Sequence, residues 1–321
     1  MTGAPHIPVL LSEVLEGLDL ARGGVVADCT FGAGGYSRAI LENSDAHVVA
    51  IDRDPSVRVY AQPLKDAYGK RFTLLEGRFS QLVPLLKAAG LSSVSGIVFD
   101  IGVSSMHLDT PERGFSFMTD APLDMRMSSV GENAADLLAQ LEAGELAHIL
   151  RLYGDERLAK RIAQTMVRAR EDGPILTTLQ LSSLVTKAVG AKQALKSTAR
   201  VFQALRIAVN DELGELRQGL AAAEILLEAG GRLCVVTFHS GEDKIVKKFL
   251  SDHSGKTAQI RPSRHLPDIR DDGPLPPFKL LRSKAIVAGE AELAANSRAR
   301  SAKLRVAERT NAPAWAQEGA A

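Results

Sequence analysis

Apolar residues along the chain fall into short, β-branched runs separated by stretches in which they recur every three or four positions. Runs of the first kind read as strands buried on both faces, and stretches of the second kind as amphipathic crossover helices. Five runs read as strands: Val25–Cys29, Val48–Asp52, Phe72–Leu75, Gly96–Ile101 and Arg232–Phe238; a sixth, Ala302–Ala307, is less regular. Helical patterns occupy Ser37–Asn43, Ser56–Lys65, Phe79–Ala89 and one long span over Arg200–Glu228. This alternation predicts an α/β protein with a doubly wound, Rossmann-like parallel sheet.

One interval breaks the rhythm. Between the fourth strand and the fifth lies far more chain than a crossover needs. It opens irregularly at His107 and then turns helical, with patterns over Ala134–Ala143, Leu146–Tyr153, Glu156–Arg170 and Leu179–Val189. Thr178 is the expected N-cap of the last, and Gly173-Pro174 breaks the run before it. The expected division is therefore 1–106, an inserted helical subdomain over 107–199, and 200–321 returning to the sheet. Residues 262–278, with Pro262, Pro267, Pro274, Pro276 and Pro277, read as a loop.

Composition narrows the class of protein. The chain has 321 residues, about two domains' worth, is 45% hydrophobic and 24% charged, and has no apolar run approaching the roughly 20 residues of a membrane span. Cys29 and Cys234 both sit in apolar runs, so neither a disulfide framework nor a zinc cluster is expected, and no metal site is read. The first residues carry no basic segment followed by an apolar stretch, which argues for the cytoplasm. The net charge of +1 hides an asymmetry: from Lys244 onward there are 15 Lys and Arg against eight Asp and Glu. A polyanionic partner and a merely solvated basic surface both fit that excess.

Candidate chemistry gathers at the strand ends. The first strand runs directly into Cys29-Thr-Phe-Gly32-Ala-Gly34-Gly35-Tyr36-Ser37 and then a helix, a turn in which glycines let a ligand approach the backbone. Eighteen residues past Gly34 the second strand ends at Asp52, placed to accept hydrogen bonds from both ribose hydroxyls of an adenosine. Together they point to a nucleoside cofactor, against a structural turn and a capping aspartate. Ser37 stands where a dinucleotide fingerprint wants Gly or Ala, which disfavours NAD. S-adenosylmethionine needs room for an amino-acid tail beside the glycine turn. Asp28 and the turn amides suit the tail and Asp100 the reacting centre; a capping role is the alternative for each acid.

Nine further stretches carry a resemblance. They are His6-Ile-Pro-Val-Leu-Leu-Ser-Glu-Val-Leu15, Thr30-Phe-Gly-Ala-Gly-Gly35, Ala50-Ile-Asp-Arg-Asp-Pro55, Asp100-Ile-Gly-Val-Ser-Ser105, Glu112-Arg-Gly-Phe-Ser-Phe117, Pro122-Leu-Asp-Met-Arg-Met127, Tyr153-Gly-Asp-Glu-Arg157, Phe202-Gln-Ala-Leu-Arg-Ile207 and Val236-Thr-Phe-His-Ser240. In this order the chain resembles the RsmH (MraW) family of bacterial 16S rRNA cytosine-N4 methyltransferases. The resemblance implies a class I methyltransferase fold with a helical insertion that recognises substrate. It implies S-adenosyl-L-methionine as donor and the N4 amine of a cytidine in 16S rRNA of the small ribosomal subunit as acceptor. A monomer and a homodimer both stay open. By the same resemblance the cofactor contacts fall on Gly34, Gly35, Tyr36, Asp52, Phe79, Asp100 and His107. Tyr36 stands where the family commonly has His, and His107 where it commonly has Gln.

Methylating an exocyclic amine sets demands of its own. The nitrogen lone pair is delocalised into the ring, so alignment with the donor methyl, worth up to about 7–11 kcal/mol, carries much of the catalysis. A polar group accepting the amine hydrogens supplies the rest, and Asp100 is the candidate catalytic residue. Asp124, Arg126, His239 and Ser240 are candidate substrate contacts; Asp124 and Arg126 fit a mutual pair equally well. Phe115 and Phe117 suit base stacking or, more simply, a core. Arg298, Arg300, Lys303 and Arg305 suit phosphates or a solvated face. A nicotinamide oxidoreductase and a non-catalytic RNA-binding module are the rival readings.

Overall fold

The computed structural model describes residues 8–128, 130–255 and 274–315. Its seven-stranded sheet comprises β1 (Val25–Asp28), β2 (His47–Asp52), β3 (Phe72–Glu76), β4 (Val94–Asp100), β5 (Leu227–Thr237), β6 (Phe278–Leu280) and β7 (Lys303–Arg309). Their order is β3-β2-β1-β4-β5-β7-β6. The first five are mutually parallel, while β7 runs antiparallel to both β5 and β6. Strand order reverses between β1 and β4, which opens a crevice at the carboxyl ends of these two strands.

The chain forms two compact units, one running up to Gly102 and resuming at Leu213, the other spanning Val103–Glu212. The sheet unit carries α1 (Leu11–Leu18), α2 (Gly35–Asn43), α3 (Arg58–Tyr68) and α4 (Leu82–Ala88). Its core is built from the strands' apolar residues, with Ile51, Ile97, Phe99, Leu233 and Val235 buried with Leu82, Leu86, Leu216 and Leu220 in one cluster. The helical unit carries α5 (Ser105–Leu108), α6 (Ala134–Gln140), α7 (Ala143–Gly154), α8 (Ala159–Asp172), α9 (Thr178–Val189) and α10 (Ala191–Asn210). It encloses a separate core around Leu138, Leu146, Leu150, Ile162, Met166, Leu181, Val185 and Leu205. The sheet unit resumes through α11 (Glu212–Leu226), then α12 (Ser240–Asp252) and α13 (Glu290–Ala295).

Several expectations are corrected. The boundaries fall at 102/103 and 212/213 rather than 106/107 and 199/200. The long helix expected over Arg200–Glu228 is two, because Asp211 turns left-handed at φ 45° between α10 and α11. Thr177, not Thr178, caps α9 by accepting from the Gln180 amide; the Thr178 hydroxyl instead donates to the Thr119 carbonyl. The segment Glu228–Gly231 lies in a bulge of β5 between the pairs Val94–Leu227 and Gly96–Arg232, so β5 begins earlier than the expected Arg232. Of the expected Pro-rich loop, Pro262 and Pro267 lie outside the described residues, and its far end forms the start of β6. Among the described residues no helix is long and apolar enough to cross a membrane.

Candidate active site

Three consecutive neighbours in the sheet end in an acid: β2 in Asp52, β1 in Asp28 and β4 in Asp100. Parallel strands in register bring these ends to one edge, with Asp28 level with Ala50 on one side and Val98 on the other. The turn after β1 is then pinned to all three. Asp28 is fully buried and accepts from the Ser37 hydroxyl at 2.6 Å and the Thr30 amide at 3.2 Å. Asp52 accepts from the Gly32 amide at 2.8 Å and the Asp54 amide at 2.9 Å. The Asp100 amide donates to the Thr30 hydroxyl at 2.7 Å.

The electrostatics separate the acids. Burial pushes Asp28 up to about 6, with the Asp52 charge adding to it and hydrogen bonds from Ser37 and Thr30 opposing. Burial pushes Asp100 higher, to about 8, because Asp28 and Glu242 add repulsion. Asp100 Oδ1 is shut off from solvent and has no hydrogen-bond partner among the described residues. A buried acceptor left without a donor costs about 1–3 kcal/mol, and such a group marks the place where an external donor fits.

The glycines serve the turn itself as well as any ligand. Gly34 is the N-cap of α2 at φ 79°, where an added Cβ would also press on the Phe31 ring at 2.9 Å. A Cβ on Gly35 would collide with the ring of Pro8. Tyr36 is buried, and its hydroxyl donates to the Val9 carbonyl, so its polar tip is spent inside the protein. Phe79 opens the short helical turn before α4 and packs edge-on against Phe99 at 5.2 Å between centroids. His107 belongs to the helical unit, where its Nδ1 accepts from the Ser104 amide and its ring lies 4.9 Å from that of Phe115.

The candidate substrate residues are placed differently from one another. In the helical unit Asp124 and Arg126 form the mutual pair, bidentate at 2.8 and 2.7 Å. Burial would raise the Asp124 carboxyl, but the Arg126 hydrogen bonds outweigh it and hold the group below its ordinary value. Phe115 and Phe117 pack in that unit's core. In the sheet unit His239 is the N-cap of α12: its Nδ1 accepts from the Gly241 amide at 3.1 Å, and its Nε2 lies 2.9 Å from Glu242 Oε1. Ser240 is exposed in the first turn of α12. Lys303 and Arg305 of the expected phosphate-binding stretch are engaged by Asp243 at 3.1 and 2.8 Å; Arg300 remains exposed.

Sequence reasoning missed Glu242, which is fully buried and accepts from the amides of Phe238 and His239 while raising Asp100. Its position three residues after the cap is the capping-box spacing, the one signal that would have found it. No cluster of His, Cys, Asp and Glu able to hold a metal occurs among the described residues.

A sheet ordered 3-2-1-4-5-7-6 with a reversed seventh strand, a glycine turn after β1 and an acid ending β2 is the class I, Rossmann-like methyltransferase architecture. The model of the MraW methylase family matches residues 3–310. A "Ribosomal RNA small subunit methyltransferase H" of Caulobacter vibrioides is 54% identical over 321 residues, 99% of this chain and 100% of that one. The protein so named in Paramagnetospirillum magneticum is 52% identical over 316 residues, 98% of this chain and 99% of that one. The chain belongs to the MraW methylase family and is a methyltransferase. The oxidoreductase alternative is thereby removed.

Proposed function

We propose that the protein transfers the methyl group of S-adenosyl-L-methionine to the N4 amine of a cytidine in 16S rRNA of the small ribosomal subunit, in the cytoplasm. The observation that carries this reading is Asp100 Oδ1, a buried acceptor without a partner at the point where β1 and β4 diverge. The names of the full-length relatives supply the substrate class, and the nine-stretch resemblance supplies the N4 position.

The donor set fits the cofactor. Asp52 is placed for a ribose, and the opening of α2 at Gly34 and Gly35 for a carboxylate, which helix amide groups favour. When bound, the donor supplies an electrophilic methyl on sulfur; the amine nitrogen forms the new bond, the carbon–sulfur bond breaks to leave a thioether, and one amine proton departs. Asp100 accepts that proton and, before transfer, a hydrogen bond from the amine that returns lone-pair density to nitrogen. Phe79 holds the apolar wall, seated against Phe99.

The helical unit serves RNA recognition in this reading. Around the turn joining α7 to α8 it exposes Arg157, Lys160 and Arg161, and Gly154 in that turn packs on the α10 backbone at Arg200, where Arg200 and Lys196 are exposed. Glu156 beneath it sits 3.8 Å from Arg200. Five cations over one joint suit a phosphodiester backbone.

The test is incubation with labelled S-adenosylmethionine and small subunits from cells lacking the enzyme. After digestion of the rRNA, label in N4-methylcytidine supports the reading. Absence of label, or label on another nucleoside, removes it.

A further inference from the structure

The segment Pro8–Leu10 precedes α1 and contributes nothing to the sheet, yet it is held by three separate contacts around the glycine turn. The Pro8 ring occupies the space over Gly35 that a side chain would need. The Val9 carbonyl accepts the buried Tyr36 hydroxyl. The Leu10 amide donates to Glu292 Oε1 at 2.7 Å, a residue of α13 that lies 282 positions later in the chain. Leu10 itself is fully buried at φ 54°, a left-handed conformation that costs a non-glycine residue roughly 1–2 kcal/mol and persists only where the surroundings impose it.

These contacts converge on the site. Tyr36 is the second residue of α2, and its phenol is held well above its ordinary pKa, by burial first and then by the nearby charges of Asp100, Asp28 and Glu292. One side chain thus touches the strap and lies beside the acids that end β1 and β4. The turn under the strap is built of residues with little stiffness of their own: Gly32 at φ 52°, Ala33, and Gly34 at φ 79°. A loop of that composition, ordered only when ligand arrives, gives up affinity in proportion to the freedom lost.

We propose that Pro8–Leu10 is a strap that presets the glycine turn for the methyl donor, with Tyr36 and Glu292 as positioning residues that act through Val9 and Leu10. The proposal rests on the donor-site reading above. It assigns to Tyr36 a role that requires no contact between its hydroxyl and the donor, and it gives the segment Pro8–Leu10 a function at a turn more than 20 residues further along the chain.

Isothermal titration with S-adenosylhomocysteine, paired with steady-state kinetics on small subunits, tests it in five proteins: unmodified, Glu292→Ala, Glu292→Gln, Tyr36→Phe, itself expected to weaken binding about fivefold, and Tyr36→Phe/Glu292→Ala. Glu292→Ala is expected to weaken binding about tenfold and to raise the donor KM equally, with kcat at saturating donor and the KM for subunits within about twofold. Glu292→Gln retains an acceptor for the Leu10 amide and is expected to bind as the unmodified protein does. The double variant is expected to lose no more than about twofold beyond Glu292→Ala, because both substitutions release one strap. A lowered melting temperature with unchanged donor affinity, or a loss in the double variant that multiplies as for independent contacts, overturns the strap. An unmodified protein that fails to bind S-adenosylhomocysteine removes the donor-site reading and the strap together; an unmodified protein that binds, with Glu292→Ala binding equally well, removes the strap alone.

Discussion

Asp100→Asn separates the chemical role of this residue from its cost to the fold. In the folded chain burial, Asp28 and Glu242 move the carboxyl from 3.8 to about 8. The unfolded chain releases the proton near the ordinary value, so between about pH 4 and pH 8 the folded state binds more protons than the unfolded one. Stability attributed to this group is therefore complete below about pH 4 and is lost as pH rises toward 8, by up to about 1.4 kcal/mol per pH unit. Three units, from pH 5 to 8, give an upper figure of about 4 kcal/mol, and screening on the solvent-facing side of the carboxyl reduces it to about 1–3 kcal/mol. Asparagine keeps the shape and does not titrate. The variant is expected to match the unmodified protein in urea midpoint near pH 4.5 and to exceed it near pH 8, while rRNA methylation falls by about 10²–10⁴ and S-adenosylhomocysteine binding is retained. In the unmodified protein kcat/KM is expected to climb toward pH 8 as Asp100 ionises. Equal midpoint differences at the two pH values would show that the carboxyl is not raised. Methylation retained above about a third of the original rate would remove Asp100 as the proton acceptor.

Gly34→Ala places a Cβ at φ 79° and against the Phe31 ring at 2.9 Å, so a loss of about 1–3 kcal/mol in stability and at least tenfold in donor affinity is expected, read by thermal melting and titration. Asp243→Asn frees Lys303 and Arg305. Burial raises that carboxyl, but the Arg305 and Lys303 hydrogen bonds outweigh it and leave the pKa depressed, so the stability lost, about 1 kcal/mol near pH 7, is expected to vanish as pH falls below about 4. Urea midpoints at pH 7 and pH 3.5 measure the difference.

How far the sequence revealed this molecule depended on how local each signal was. Strands β1, β2, β4 and β5 were legible because strands covered on both faces read as near-continuous apolar runs. β7, with buried positions alternating with Lys303, Arg305 and Glu308, shows the weaker period-2 signal of a strand with one polar face. β6, three residues beside prolines, has no pattern long enough to read. The division of the long helix at Asp211 was hidden because neither glycine nor proline marks it and the apolar period continues on both sides. α12 escaped because its cap is a histidine, outside the usual Ser, Thr, Asp and Asn set, so His239 read as a pocket residue when its ring caps a helix.

The same rule applies at the site. Asp52 and Asp100 were visible as polar ends of apolar strands. Tyr36 was not readable in its actual role, because its partner Val9 lies 27 residues away and offers only a backbone carbonyl, which leaves no mark in a sequence. The Asp124–Arg126 pair was readable as one of two outcomes, since a two-residue separation across the left-handed Met125, φ 62°, brings the side chains together only in the folded chain.

Three acids at one sheet edge would be a liability if all did the same work. They do not. Asp28 accepts from the Thr30 amide and the Ser37 hydroxyl, and Asp52 from the Gly32 amide, so both fix the backbone on which a ligand must rest, Asp52 from the end of β2 where a ribose would lie. Asp100 gives only its amide to that turn and keeps a carboxyl oxygen without a donor. The rule by which neighbouring carboxylates raise Asp100 works in reverse for a neighbouring cation, which favours the ionised form. On the proposed reading, a positively charged donor would turn Asp100 from a proton-bearing group into a proton acceptor as it binds, so the expected result is that donor binding lowers the pH at which methylation rises, measured as pH profiles of kcat against kcat/KM.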